Sequence, residues 1–391
     1  MQEFWLWAEQ VVFYLAIFDL AFALFATGLI VHSGYAIQLL AAQPIPLLDQ
    51  WPSISLIAPA RNEERNIEAA VRSLIKLDYP HLELTIVNDR STDRTGQILD
   101  RLAAEFPQLN VVHLTDLPAG WLGKNHALQL GADRSHGDWL LFADADIIFD
   151  PTVLRRAIGY ALANQVDHLT ITPESHMPSW FLQSFVVTFA AYFTLFTQIW
   201  AVSNPNSQAH VGIGAFNLVR RDVYRAVGGH HRIHMRPDDD LKLGKIIKFA
   251  GYRQHLLHGT GLIVVEWYHS FREMVRGLEK NLFSGTDYSV FLTVFSSLLS
   301  LLVNVWPYIA VFVVPAPARW IYLAAACVLW FMAWFLARGM NVPQSCALAF
   351  PVTVLALVYM QWRTMLLNFY HNGIRWRDTH YSLAELRANK V

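Results

Sequence analysis

The chain has 391 residues, 54% of them hydrophobic and only 16% charged, against about 25% in ordinary soluble domains, so part of it must face lipid. Its formal net charge of -1 supplies no basic field for a phosphate backbone and argues against nucleic acid as a partner. Cys327 and Cys346 are the only cysteines and both fall in apolar runs, which leaves no disulfide framework and no cysteine-based zinc site.

Residues 11–31 form an apolar run whose only charge is Asp19, long enough to cross a bilayer core. No positive segment precedes it and no small-residue cleavage pattern follows, so residues 1–32 read as a retained transmembrane anchor rather than a signal peptide. Lys and Arg are absent from residues 1–10 and frequent in the domain that follows, an asymmetry that predicts a cytoplasmic location for residues 50–285 at the inner cell membrane.

That domain opens with a short buried strand at 54–58, apolar residues at helical spacing over 63–76 and a second strand at 84–87. A helix over 93–106, a strand at 111–114, a helix over 124–134 and a strand at 139–143 continue the rhythm. Such alternation predicts an α/β domain with a mainly parallel sheet, helices on both faces and ligands beyond the carboxyl ends of the strands. Pro59-Ala60-Arg61-Asn62-Glu63, Asn88-Asp89-Arg90-Ser91-Thr92-Asp93 and Asp144-Ala145-Asp146 follow the first, second and fourth strands and are expected to meet in one crevice. Thr92 and Asp93 read as helix caps. Asp144 and Asp146 suit Mg²⁺ or Mn²⁺, hard cations that share one or two protein carboxylates with substrate phosphates. A lone Asp-x-Asp is more often a capped turn; the two other polar loops at the same edge favour the metal reading.

Residues 179–200 are apolar and aromatic yet lie inside the domain, which suggests an interfacial helix bringing the crevice to the bilayer, with a buried domain helix as the competing reading. His230, His231 and His234 lack a zinc-ligand spacing and are expected to form a mobile acceptor-side loop. Asp238, Asp239 and Asp240 follow; capping a helix needs one such residue, so three suggest further work. Arg276 and Lys280, one helical turn apart, either contact a diphosphate or snorkel at the membrane surface. Apolar runs at 288–314, 320–336 and 346–367 predict three further transmembrane helices within 288–367, and Trp5, Trp7, Trp306, Trp320, Trp330, Trp334 and Trp362 lie in or beside the spans. Four spans would return the tail, 368–391, to the far side, yet Arg375, Arg377, Arg387 and Lys390 make it basic. Either the last apolar segment is re-entrant or interfacial, or the positive-inside rule is broken there.

Taken in order, Pro59-Ala-Arg-Asn-Glu63, Val87-Asn-Asp89-Arg-Ser-Thr-Asp93, Trp121-Leu-Gly-Lys124-Asn-His-Ala127, Asp144-Ala-Asp146, Gly214-Ala-Phe216 and Asp238-Asp-Asp240 resemble the membrane-bound, inverting family 2 glycosyltransferases with the GT-A (Rossmann-like) fold, over residues 54 to 260. The Trp-x-Gly-Lys segment is most similar to enzymes that glycosylate lipid acceptors of the ceramide, carotenoid and hopanoid type. The resemblance implies that Asp89 contacts the uracil or ribose of a nucleotide sugar, with Ala60 and Glu63 beside it. It further implies that Lys124 approaches the nucleotide or diphosphate and that Asp144 and Asp146 hold the cation on the departing diphosphate. Inversion requires a carboxylate to take the acceptor proton. Asp240 matches that base, 11 positions before Gly251, and Asp239 matches its usual acidic neighbour. The Gln-x-x-Arg-Trp element of processive polysaccharide synthases is replaced by Arg272-Glu-Met-Val-Arg276-Gly-Leu-Glu-Lys280-Asn281. The expected activity is therefore transfer from a nucleotide sugar, by resemblance a UDP-sugar, to a membrane lipid hydroxyl. A polyprenyl-phosphate sugar transferase, a short-chain polysaccharide synthase and an inactive membrane scaffold are the alternatives.

Overall fold

The computed structural model describes residues 2–376 and 379–391, with side chains from Trp7 onward. Arg377 and the Trp5 side chain lie outside the described residues. The chain forms two compact units: a sheet unit of residues 37–176, 201–267 and 384–391, and a helical unit of residues 1–36, 177–200 and 268–383.

The sheet unit contains ten strands: β1 (Ile54–Ala60), β2 (Leu82–Asp89), β3 (Leu109–Leu114), β4 (Trp139–Phe142), β5 (Ile147–Phe149), β6 (His168–Thr172), β7 (Glu174–His176), β8 (Asn217–Arg220), β9 (Gln254–His258) and β10 (Ile263–Glu266). Seven make the central sheet in the order β3-β2-β1-β4-β8-β6-β9, and β5, β10 and β7 make a small second sheet. Pairing is parallel from β3 through β4, while β8 runs antiparallel to both β4 and β6. The mainly parallel sheet predicted from the alternation is thus present, with β8 inserted in the opposite sense.

Strand β1 is apolar nearly throughout because both of its faces are covered. Leu56 and Leu141 point to the layer with Ile67, Val71, Leu74 and Leu99, whereas Ile57 and Leu140 point to the layer with Leu128, Val219 and Leu243. Each fully buried aliphatic side chain of this kind contributes roughly 1.5–3 kcal/mol. The first helix of the sheet unit, Ile67–Ile75, buries Ile67, Ala70, Val71 and Leu74, one stripe at 3.6-residue spacing. It starts four residues later than the pattern over 63–76 predicts. Asn62 is left-handed (φ 55°), and the Glu63 and Glu64 amides donate to Thr95 Oγ1 (2.8 Å) and Asp93 Oδ2 (3.1 Å) across the neighbouring loop, which holds that turn out of the helix.

In the helical unit, the helix Gln2–Ala36 packs against Ala318–Gly339. Among the described residues, four helical segments are long and apolar enough to cross a membrane: 7–36, 180–197, 318–339 and 344–370. The run at 288–314, expected to be one span, is two helices, Val290–Asn304 and Trp306–Val313, bent by 47°. Pro307 explains the break, since its ring clashes with the preceding turn and it has no N–H to give. The helix Trp180–Thr197, which the sequence groups with the catalytic domain, belongs to the helical unit and packs on Phe350–Tyr370 and Ala318–Gly339. Residues 384–391 join the sheet unit: Lys245 Nζ donates to the Val391 carbonyl (2.6 Å), and the Met235 amide donates to Asn389 Oδ1 (3.1 Å).

Gly137 closes the turn into β4, and its amide donates to Ser55 Oγ (2.8 Å). A Cβ there would lie 2.5 Å from the Ser55 nitrogen and 2.7 Å from the Ile54 carbonyl carbon, backbone atoms of the central strand that have no freedom to withdraw. Gly137→Ala should cost about 1–3 kcal/mol, read as a lowered melting temperature of the detergent-solubilised protein.

Candidate active site

Because β2, β1 and β4 are neighbours and parallel, the loops leaving their carboxyl ends emerge at one edge of the sheet. The first two loops are stitched together. Asn62 Oδ1 accepts from the Thr92 amide (2.8 Å), the Asn62 amide donates to Ser91 Oγ (3.0 Å), and Asn62 and Arg90 are both left-handed (φ 55° each). At the end of β2, Asp89 is buried, 3% exposed, and Arg90 grips it from Nε (2.7 Å) and Nη2 (3.2 Å) while Arg61 Nη1 lies 3.6 Å away. A carboxylate this deep is tolerated because two guanidiniums surround it. The helix Gly123–Arg134 presses its first residue onto the pair, and a Cβ on Gly123 would overlap Asp89 Oδ2 and come within 2.7 Å of Arg90 Nη2. Ala60, fully buried at the end of β1, stays beneath this edge.

One residue further along that helix, Lys124 Nζ bridges Asp144 Oδ1 (2.9 Å) and Asp239 Oδ2 (3.4 Å). Burial works against its charged form, but Asp144, Asp239 and Asp240 together outweigh it and hold the ammonium well above its ordinary range. Asp144 and Asp240 meet at Gly214. The Asp144 amide donates to the Gly214 carbonyl (2.9 Å), and the Gly214 amide donates to Asp240 Oδ2 (2.8 Å). The remaining oxygen of Asp240 accepts from the Leu241 amide (2.8 Å) at the start of the helix Asp239–Phe249. Burial, with Asp239 next to it, pushes the Asp240 carboxyl up to about 7. Burial likewise, with Asp144 and Glu63 adding their charges, pushes Asp146 up to about 7.

Asp89, Lys124, Asp144, Asp146, Glu63, Asp239 and Asp240 are all in the sheet unit, where Lys124 contacts Asp144 and Asp239 directly and feels the charge of Asp240. Asp238, at the N-cap position of the helix Asp239–Phe249, makes no side-chain capping bond and instead forms a two-pronged ion pair with Arg236 (2.9 Å on each arm). Of the three histidines, His230 is built into packing, whereas His231 is exposed and His234 half-buried. His230 is buried, its Nδ1 2.8 Å from the Tyr224 hydroxyl, and the Trp121 ring lies 5.0 Å from His231 and 5.7 Å from His234. Arg276 and Lys280 belong to the helical unit, where Arg276 is exposed and Lys280 Nζ lies 4.3 Å from the Trp376 ring centroid. Arg61 and Arg90 complete the surroundings of Asp89. Their adjacency to the strand ends is the sequence signal for that role, since a carboxylate ending a buried strand needs a cation nearby.

Two carboxylates at one strand end, crowded by a third acid, form a donor set that a hard divalent cation fits, provided phosphate oxygens and water complete the shell. Among the described residues no group of three or more His, Cys, Asp or Glu forms a ready cage by itself.

Residues 55–228 match the family model Glycosyl transferase family 2. The chain is 26% identical over 276 residues to 4,4'-diaponeurosporenoate glycosyltransferase of Staphylococcus haemolyticus (strain JCSC1435), covering 67% of this chain and 70% of the relative. It is 24% identical over 236 residues to the protein of the same name from Staphylococcus aureus (strain USA300), covering 60% of this chain and 61% of the relative. Among solved structures it is similar to the mannosyltransferase PcManGT from Pyrobaculum calidifontis in complex with GDP-Man and Mn²⁺, with TM-score 0.53 and 17% identity over 91% of this chain and 98% of that one. That likeness shows the fold, a GT-A α/β domain.

A Cβ on Gly214 would come within 2.6 Å of Asp144 Oδ2 and 3.4 Å of Asp240 Oδ2, so Gly214→Ala must push one carboxylate off its position. Sugar transfer should fall by about 10²-fold while the melting temperature stays near that of the wild type, as expected when reacting groups are displaced without loss of core.

Proposed function

Residues 55–228 being a family 2 glycosyltransferase domain, we propose that the enzyme moves a sugar, with inversion, from a nucleotide sugar, by resemblance a UDP-sugar, to the hydroxyl of a membrane lipid. The observation that carries this reading is the Gly214 link: an acid following β4 and an acid opening the helix Asp239–Phe249 flank a single glycine, with Lys124 beside both. Glycosyl transfer needs that set, because charge develops on a leaving diphosphate at the moment an acceptor proton must be removed.

In this reading Asp89, held rigid by Arg61 and Arg90, meets the uracil or ribose, with Ala60 and Glu63 forming the adjoining wall. Lys124 turns from Asp144 toward the diphosphate. Asp144 and Asp146 would hold Mg²⁺ or Mn²⁺, which supplies Lewis-acid stabilisation of the diphosphate when bound. Asp240 takes the proton from the acceptor hydroxyl as the new bond to the anomeric carbon forms and the bond to the diphosphate oxygen breaks, and the nucleoside diphosphate departs with that electron pair. Asp239 keeps Lys124 in place. A carboxyl near 7 suits a base working at neutral pH, where it is both available and basic enough to accept a proton.

The lipid acceptor is supported by the apolar helices and by relatives named for action on diaponeurosporenoate. We assign the protein to the inner membrane as a multi-pass enzyme with its catalytic domain in the cytoplasm, on the charge asymmetry around the first helix.

Membranes containing the protein, incubated with a panel of labelled nucleotide sugars, should deposit label in the lipid extract, and a chelator should abolish this. Label appearing only in water-soluble polymer would overturn the lipid assignment, and full activity after chelation would overturn the metal. Asp240→Asn should lower transfer by about 10²–10⁴-fold with nucleotide binding retained. Wild-type transfer should also decline as pH falls below about 7, because protonated Asp240 is no longer a base. Full transfer by the Asn variant would point to an acceptor already ionised, such as a polyprenyl phosphate.

A further inference from the structure

A folded body lies on one side of a bilayer, and this constraint decides which apolar helices can cross. Strands β6 and β8, which flank the helix Trp180–Thr197 in sequence, pair directly with each other, His168 opposite Val219. A single straight helix between two paired strands cannot cross, because one strand would be left on the far side.

The same bookkeeping applies to the C-terminal helices. Residues 384–391 belong to the sheet unit through the Lys245 and Asn389 bonds, so the segment 268–383 must leave and return to one side. Within it, Ala318–Gly339 runs parallel to the first helix: the Tyr322 hydroxyl donates to the Val12 carbonyl (3.4 Å), and the rings of Tyr35 and Phe335 are 6.1 Å apart. Since the first helix ends where the sheet unit begins, Ala318–Gly339 must also end on that side. Trp306–Val313 runs antiparallel to it, with Ala310 and Tyr322 in one cluster and the rings of Tyr308 and Trp330 5.1 Å apart, so the bent pair supplies the outward crossing. That leaves Phe350–Tyr370 beginning and ending on the side of the sheet unit.

Four further observations fit a pair of helices that do not cross. They are the two least apolar of the four candidate segments. They are also joined by polar groups: Thr188 Oγ1 and Thr353 Oγ1 are 2.6 Å apart, and Trp180 Nε1 donates to Ser345 Oγ (3.0 Å) in the turn that leads into the second helix. Arg363, well inside Phe350–Tyr370, pairs with Glu279 (2.7 Å), a charge that is costly at mid-bilayer and ordinary at its surface. The outer stripe of that helix, Val352, Leu355, Tyr359, Leu366 and Tyr370, is exposed and apolar.

We infer that Trp180–Thr197 and Phe350–Tyr370 form one hydroxyl-linked, membrane-surface platform in the leaflet on the side of the sheet unit, the exposed stripe of the second helix meeting acyl chains, and that only three segments cross. The inference rests on the membrane-bound reading above and goes beyond it by assigning a lipid-contact surface to two helices that length and composition alone would count as spans.

Single-cysteine variants of the full chain, made after replacing Cys327 and Cys346, test it. Ala316→Cys, Gln344→Cys, His371→Cys and, as the sheet-unit reference, Asn206→Cys are treated in intact cells with a membrane-impermeant maleimide. Ala316→Cys should be labelled, and the other three should be fully protected until the membrane is permeabilised. Opposite behaviour of Gln344→Cys and His371→Cys, or of His371→Cys and Asn206→Cys, would overturn the inference, because Phe350–Tyr370 would then cross. Release of the protein by alkaline carbonate would instead sink the membrane-bound reading, and labelling of Asn206→Cys in intact cells would sink only the cytoplasmic orientation.

Discussion

The arrangement of this protein depends on desolvated carboxylates being held together against their own repulsion. Asp144, Asp239 and Asp240 converge on a few ångströms of space, and for Asp239 and Asp240 burial adds a desolvation cost to the repulsion. One ammonium, Lys124, and one amide, that of Gly214, offset that cost, the first by charge and the second by donating to Asp240, while the Gly214 carbonyl accepts from the Asp144 backbone amide and ties the two loops together. Any side chain at position 214 would occupy the gap the two acids share. The same logic recurs at Asp89, where Arg61 and Arg90 supply the compensation.

The sheet order explains how residues nearly a hundred positions apart reach that glycine. Strand β4 runs parallel to β1, whereas β8 beside it runs the other way, so the chain enters β8 at the edge where it leaves β4. Gly214, a few residues before β8, is thereby delivered to the loop after β4. A fully parallel sheet would have sent it to the opposite edge.

Much of this was legible in the sequence, because buried parallel strands are short apolar runs and the loops after them are conspicuously polar. The strands at 54–58, 84–87, 111–114 and 139–143 lie within or against β1 to β4, and the loops chosen as polar are the ones that gather at the edge. What the sequence did not disclose depends on contacts between distant residues. The late start of Ile67–Ile75 is dictated by hydrogen bonds to Thr95 and Asp93, and the pairing of Asp238 by Arg236 takes it out of the capping role. Hydropathy likewise could not tell whether 180–197 associates with the sheet or with other helices, since an apolar helix satisfies either neighbour. The break at Val305 was signalled by Pro307 but masked by the unbroken apolar composition around it.

The chain leaves the sheet unit after His176 and rejoins it at Ala201, and both points belong to the same folded body. An excursion anchored at both ends in this way is a cassette. A change in its length would leave the register of β6 against β8 in place, because those two strands pair with each other directly.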